Sequence, residues 1–165
     1  ISRMIGAHSV FELGSGFGYS TAWFARAVQE NGGGTVEHVV WDEELSVRAR
    51  RHLSTLGYDD IVRYHVGEAV TTLRNSDGPY DVIFNDIDKW MYPESLPVIE
   101  QLLRPGGVLI IDNMLWSGRI FDDSDLSDDT EGIRLFTRLI TADRGWTASL
   151  VPIRDGLILA YRNPS

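Results

Sequence analysis

Two short apolar runs in this chain stop abruptly at carboxylates. Tyr80-Asp81-Val82-Ile83-Phe84 runs into Asn85-Asp86-Ile87-Asp88-Lys89, and Gly107-Val108-Leu109-Ile110-Ile111 runs into Asp112-Asn113. A run of β-branched and apolar residues without alternation is the pattern of a strand buried on both faces, as in a parallel sheet. Both runs end in oxygen-bearing side chains. Those side chains are therefore expected to gather at the carboxyl edge of one sheet, where open α/β folds hold their ligands. Two strand ends with oxygen donors suggest a hard-cation site. Lys89 beside them is a candidate base.

The rest of the chain alternates in the same way. Residues 9–13 read as a first strand, followed by the tight loop Gly14-Ser15-Gly16-Phe17-Gly18. Residues 19–29 have helical spacing, and Asn31-Gly32-Gly33-Gly34 ends that helix. Strands are expected at 35–41, 61–66, 80–84 and 108–111. Helices are expected at 44–56, 68–74 and 94–103, with Pro97 tolerable only near a first turn. Arg104-Pro105-Gly106-Gly107 reads as a turn. The segment from Asn113 to Thr130 is long for an uncommitted loop, which favours a functional or mobile stretch. After a helix at 131–142, two closing strands at 146–151 and 157–161 are joined too tightly for a crossover, so that pair is expected to be antiparallel. There is no internal repeat and no linker. The expectation is one domain over residues 1–165: an open, mostly parallel α/β sheet with an antiparallel closing strand and helices on both faces.

Composition narrows the function. At 165 residues the chain can bury a real core. It has no cysteine, so disulfides and thiolate metal sites are excluded. A formal charge of −9 argues against a nucleic-acid-binding face. No stretch is apolar enough to span a membrane, and no secretory pattern follows Ile1, so a cytoplasmic protein without membrane partners is expected. Asp122-Asp123-Ser124-Asp125 and Asp128-Asp129 read as a solvated acidic loop. The opening Ile1-Ser2-Arg3-Met4-Ile5 looks like the tail of a helix entering a strand, and the expectation is that an N-terminal portion precedes it.

A strand, a glycine loop and a helix at the start of such a sheet form a nucleotide-type cofactor site, because the helix start offers free N–H groups. The spacing Gly14-x-Gly16-x-Gly18 is neither the dinucleotide fingerprint nor a Walker loop. Alone, it fits a tight turn equally well. Asp42 and Glu43 lie where the second strand should end in an acid for a ribose diol; an acidic first helical turn is the competing reading.

Four segments in order then match a family. Phe11-Glu12-Leu13-Gly14-Ser15-Gly16-Phe17-Gly18-Tyr19-Ser20 resembles the cofactor motif of the metal-dependent O-methyltransferases, the group that includes the catechol and caffeoyl-CoA enzymes. Residues 80–89 resemble its F-D-x-x-F-x-D-x-D-K segment. Gly106-Gly107 through Gly118 resembles its G-G-x-x-x-x-D-N-x-L-W-x-G, and residues 152–157 its P-x-x-D-G-L. The resemblance implies a Rossmann-like methyltransferase sheet, S-adenosylmethionine as cofactor and methyl transfer to a hydroxyl of a small vicinal-diol aromatic. It implies cofactor contacts at Glu12, Gly14, Gly16, Ser20, Glu68, Ala69 and Asp86, with Asp42 for the ribose. It also implies Asp86, Asp112 and Asn113 as ligands of Mg²⁺, or of Mn²⁺ or Ca²⁺, with Lys89 as general base. A homodimer is implied as well, and helices ahead of the first strand that this chain lacks.

The chemistry agrees on its own terms. Methyl transfer from a sulfonium needs an oxyanion or something close to one, and a Lewis-acidic cation makes a phenol acidic enough. The chain departs from the pattern at two places. Threading back from Ala49 puts Val40 where the ribose acid is expected, and Ile158 stands where catechol enzymes carry an acid. A metal-independent methyltransferase and a cofactor-binding module without turnover are the alternatives. A nicotinamide dehydrogenase is disfavoured by the glycine spacing.

Overall fold

A computed structural model describes residues 1–164. Seven strands form one sheet: β1 (Ser9–Leu13), β2 (Thr35–Val40), β3 (Val62–Val66), β4 (Tyr80–Asn85), β5 (Leu103–Ile111), β6 (Trp146–Val151) and β7 (Leu157–Arg162). Their order across the sheet is β3-β2-β1-β4-β5-β7-β6. The first five are parallel to one another, and β7 runs antiparallel between β5 and β6. The chain winds outward from β1 through β2 to β3, then returns to the centre and winds the other way from β4. The crevice between β1 and β4 is therefore the switch point of the sheet, where helices leave in opposite directions and a ligand can enter.

Both faces are covered. Helices α1 (Tyr19–Glu30) and α2 (Glu43–Thr55) bring Ala25, Val28, Ala49 and Leu53 against Val10, Val36 and Val82. The opposite face carries α3 (Ala69–Arg74), α4 (Tyr92–Leu102) and α5 (Asp128–Ala142), which pack Leu73, Ile99, Phe136 and Ile140 against Phe11, Ile83 and Leu109. Central strands that are apolar on both sides follow directly from this double coverage.

Three expectations need correction. Pro97 sits in the middle of α4, not near its start; Pro93 holds the first-turn position. Leu96, Val98 and Ile99 of the same helix are buried, and that packing outweighs one missing backbone hydrogen bond. The expected turn at 104–107 lies inside β5, where the register jumps from Tyr80↔Leu103 to Val82↔Val108. The extra residues bulge, and Arg104 in the bulge pairs with Asp81 at 2.5 Å. The long loop, finally, is not irregular throughout, although Asp122, Asp123 and Asp128 are exposed as a solvated acidic stretch should be. A short 3₁₀ segment occupies Trp116–Phe121, and α5 begins already at Asp128. Arg134 donates to the carbonyls of Ile120, Asp122 and Asp125, and Arg119 pairs with Asp125 at 2.6 Å. The two arginines thus hold Asp125 and the backbone of this loop, and leave Asp122, Asp123 and Asp128 to solvent. Among the described residues, no helix is long and apolar enough to cross a membrane.

Candidate functional site

A cleft opens at the switch point and encloses about 340 Å³. One end is walled by Gly14, Val39, Val40, Trp41, Gly67, Glu68 and Ala69, from the ends of β1, β2 and β3. The other is walled by Asp86, Ile87, Asp88, Lys89, Met91, Asn113, Trp116 and Asp129. Its volume is within the range of small-molecule sites.

At the β4–β5 end, the expected residues converge. Lys89 begins a 3₁₀ turn (Lys89–Met91) and is buried. Its Nζ donates to Asp86 Oδ1 at 2.8 Å and to the Ile87 carbonyl at 3.0 Å. The ammonium also lies 5.1 Å from the centre of the Tyr92 ring and 5.9 Å from that of Trp116. Burial pushes the Asp86 carboxyl up, the Lys89 ammonium pulls it back, and the charge of Asp112 one strand away adds to the upward push. Two like charges on neighbouring strand ends repel, and any positive charge near them is favoured.

Asn113 has a left-handed backbone, φ 56°, which Asn tolerates better than most residues. The turn before β7 fixes it there. Asp155 accepts from Asn113 Nδ2 at 3.3 Å and from the Ser117 backbone at 2.5 Å, while Leu115 N–H bonds the Asp155 carbonyl. Turning the amide nitrogen toward Asp155 leaves Asn113 Oδ1 free to face a cation. Among the described residues, no three His, Cys, Asp or Glu side chains cluster as a metal site. The strand ends carry two carboxylates and one amide, side-chain oxygens of the kind that hard cations take.

Glycines position this end, and one of them was not visible in the sequence pattern. A Cβ on Gly14 would stand 2.3 Å from the Asp86 carbonyl, so Gly14 locks the loop after β1 against the loop after β4. A Cβ on Gly132 of α5 would stand 2.4 Å from the Lys89 carbonyl and 2.7 Å from Trp90 Cα. Helix α5 thus rests directly on the turn that carries the candidate base, and Asp129 of the same helix accepts the Trp90 backbone N–H at 3.2 Å. On an exposed helix, Gly→Ala gains about 1 kcal/mol. Here the added methyl meets backbone that cannot rotate away, and overpacking costs about 1–3 kcal/mol. Gly132→Ala is therefore expected to lower stability in urea melts and to reduce turnover by displacing Lys89.

The β1–β3 end differs more from expectation. Glu68 lines the cleft, but its two oxygens accept the backbone N–H groups of Val70 and Thr71 at 2.7 and 2.6 Å. Ala69 follows it on the wall. Asp42 is not on the wall. Its Oδ1 accepts from Glu44 N at 2.6 Å and Leu45 N at 3.2 Å, capping α2. The structure thus places Asp42, expected at a ribose, at the cap of α2, and the wall there is Val40 and Trp41. Gly16 (φ 51°) stands in open space and does not line the cleft.

Glu12 is fully buried beneath the glycine loop, also off the wall. It accepts a short hydrogen bond from Thr21, whose hydroxyl is 3.0 Å from His38 Nδ1. Cross-strand register aligns Glu12, His38 and Tyr64 across β1, β2 and β3. Burial pushes the Glu12 carboxyl up to about 7, against hydrogen bonds from Ser20, Thr21 and Ser15. Burial brings His38 down to about 4, with His65 adding to the effect.

The pH consequence for Glu12 has a definite sign. The unfolded acid titrates near its ordinary 4.5 and the folded one near 7, so folded stability is lost as pH rises through that window. The shift corresponds to roughly 3 kcal/mol. Glu12→Gln is expected to be about 1–3 kcal/mol more stable than the parent chain in urea melts near pH 8 and nearly equal near pH 4. His38 loses its own contribution as pH falls below its ordinary range in both proteins, so the comparison largely cancels it. Equal stability near pH 8 would show that the buried acid is not strained.

Comparisons with known proteins point the same way as this geometry. The chain is 28% identical to a catechol O-methyltransferase of Niastella koreensis, over 97% of this chain and 76% of that one. The O-methyltransferase TomG of Streptomyces achromogenes, solved in complex with SAM, superposes with a TM-score of 0.90 at 27% identity, covering 99% of this chain and 76% of that one. An O-methyltransferase from Bacillus cereus, solved in complex with SAH, gives a TM-score of 0.90 at 30% identity, covering 98% and 76%. A family profile described as O-methyltransferase matches residues 1–163, and the chain belongs to that O-methyltransferase family.

Proposed function

We propose that this chain binds S-adenosylmethionine in the switch-point cleft and methylates a hydroxyl of a small vicinal-diol aromatic with the help of a divalent cation. The observation that carries the reading is the junction of buried Lys89, Asp86 and the Asp112-Asn113 pair at one end of a cleft whose other end is the glycine-loop side of the sheet. SAM or SAH in related structures supports the cofactor. Asp86, Asp112 and Asn113 would hold the cation, Mg²⁺ or another ion that accepts oxygen ligands, such as Mn²⁺ or Ca²⁺. When bound, it supplies the Lewis acidity that makes an acceptor hydroxyl easier to ionise.

The chain's own residues do the rest. Lys89 must act as the neutral amine, its ammonium having first given a proton to solvent: Nζ takes the acceptor proton, the acceptor oxygen forms a bond to the methyl carbon as the carbon–sulfur bond breaks, and the sulfonium leaves as a thioether. The half-buried carboxylate of Asp86, beside Nζ, stabilises the ammonium that this proton restores. Trp116 and Met91 wall the site with apolar surface, which suits an aromatic ring and strengthens charge interactions by excluding water. A cytoplasmic homodimer is part of the proposal on family grounds.

The test is methyl transfer from S-adenosylmethionine to a panel of catechols and monophenols, with and without chelator. Chelator is expected to abolish transfer and Mg²⁺ to restore it, with monophenols poor acceptors throughout. A rate indifferent to chelator would leave the metal-independent reading, in which the 2.8 Å Asp86–Lys89 pair alone orders the site.

A further inference from the structure

In a doubly wound sheet, the ribose diol of a nucleoside cofactor is read by an acid at the end of the second strand. Here that strand end is Val40, on the cleft wall and 5% exposed, followed by Trp41, 64% exposed. The two nearest carboxylates both cap helices, and Asp42 lies off the cleft wall. Asp42 caps α2, and both Glu68 oxygens are bonded to the backbone of α3. The Val40 carbonyl accepts the Gly67 N–H at 2.9 Å. The wall at this end therefore offers an indole and aliphatic side chains, and its carboxylate, Glu68, already has both oxygens bonded to backbone.

We propose that the nucleoside end of this cleft recognises the face of the adenine base through Trp41 and does not read the ribose diol. The inference rests on the reading of the cleft as the S-adenosylmethionine site and deepens it. A site built to hydrogen-bond a hydroxyl rejects the analogue that lacks it by orders of magnitude, because its own polar groups are left unpaired; an apolar wall has no such groups to strand. A purine stacked on an indole, in contrast, loses its contact wholly when the indole is removed.

The experiment is calorimetric binding of S-adenosylhomocysteine, 2′-deoxy-S-adenosylhomocysteine and 3′-deoxy-S-adenosylhomocysteine to the unaltered chain, to Trp41→Ala and to Val40→Glu. The unaltered chain is expected to bind the three ligands with Kd values within about threefold of one another. Trp41→Ala is expected to weaken all three equally, by about tenfold or more. Val40→Glu is expected to tighten only the ligand that keeps both hydroxyls. A loss greater than threefold on removing either hydroxyl from the unaltered chain's ligand overturns the proposal, whatever the Val40 variant does. An unchanged Kd in Trp41→Ala overturns the base-face role. No binding of S-adenosylhomocysteine by the unaltered chain removes the cofactor reading and this proposal with it, whereas binding with strong ribose discrimination removes this proposal alone.

Discussion

Asp112→Ala is expected to abolish divalent-dependent methyl transfer, lowering kcat/KM by about 10³-fold or more at any Mg²⁺ concentration near the parent's optimum. The side chain does little for the fold. Its Oδ1 accepts one hydrogen bond, from the Asn113 backbone at 2.7 Å. The backbone carbonyl of the same residue is the one that takes the buried Tyr92 hydroxyl at 2.9 Å, and alanine keeps it. Stability is therefore expected to change by no more than about 1 kcal/mol. The proposed cation site, however, loses one of its two charges, and with it most of the reason for a divalent ion to shed water there. Asp112→Asn keeps an oxygen of the same reach but not the charge, so it is expected to fall between the two and to recover partly at high Mg²⁺. Turnover measured across a Mg²⁺ titration, beside a urea melt, separates loss of the ion from loss of the fold. Full activity of Asp112→Ala in excess chelator would remove the metal from the mechanism.

The placement of Asp112 and Asp86 was legible in the sequence because it rests on one strong rule: an apolar run with no alternation must be a buried parallel strand, and its polar end must lie at the carboxyl edge. The antiparallel closing pair was legible for an equally simple reason, a connection too short to cross over. Asp42 and Glu68 were not legible, since two rules compete for the same letters. An acid between a strand and a helix fits a ribose ligand and a helix cap alike, and only the hydrogen bonds to Glu44, Leu45, Val70 and Thr71 decide between them. Gly14 was read for ligand approach, yet its tightest neighbour is the Asp86 carbonyl, contributed by a strand far along the chain. Gly132 carried no sequence cue at all, because a glycine inside a helix acquires meaning only from what the helix touches. Local pattern thus located the acids and the base, and long-range packing determined which of them remain free to bind a ligand.

Lys89→Ala is expected to lower kcat by about 10²–10⁴-fold while leaving the Kd for S-adenosylhomocysteine within about twofold. The split follows from where Lys89 is placed. Its amine points to Asp86 and the Ile87 carbonyl, under Tyr92 and Trp116, at the β4–β5 end of the cleft, whereas the proposed nucleoside contacts lie at the β1–β3 end. Removing the amine also frees Asp86 from its ion pair, so Mg²⁺ affinity is expected to hold or rise. A purely structural lysine would behave differently: its loss would lower thermal stability and weaken ligand and cation together. Lys89→Arg sharpens the distinction. A guanidinium keeps the positive charge beside Asp86 but does not give up its proton at any working pH. If Lys89 moves the proton, Lys89→Arg is expected to be as slow as Lys89→Ala; if it only supplies charge, arginine is expected to restore most of the rate. Single-turnover kinetics with a catechol acceptor, run beside Mg²⁺ and S-adenosylhomocysteine titrations, reads all three quantities on the same protein, and near-normal single-turnover rates in Lys89→Ala would remove the base assignment.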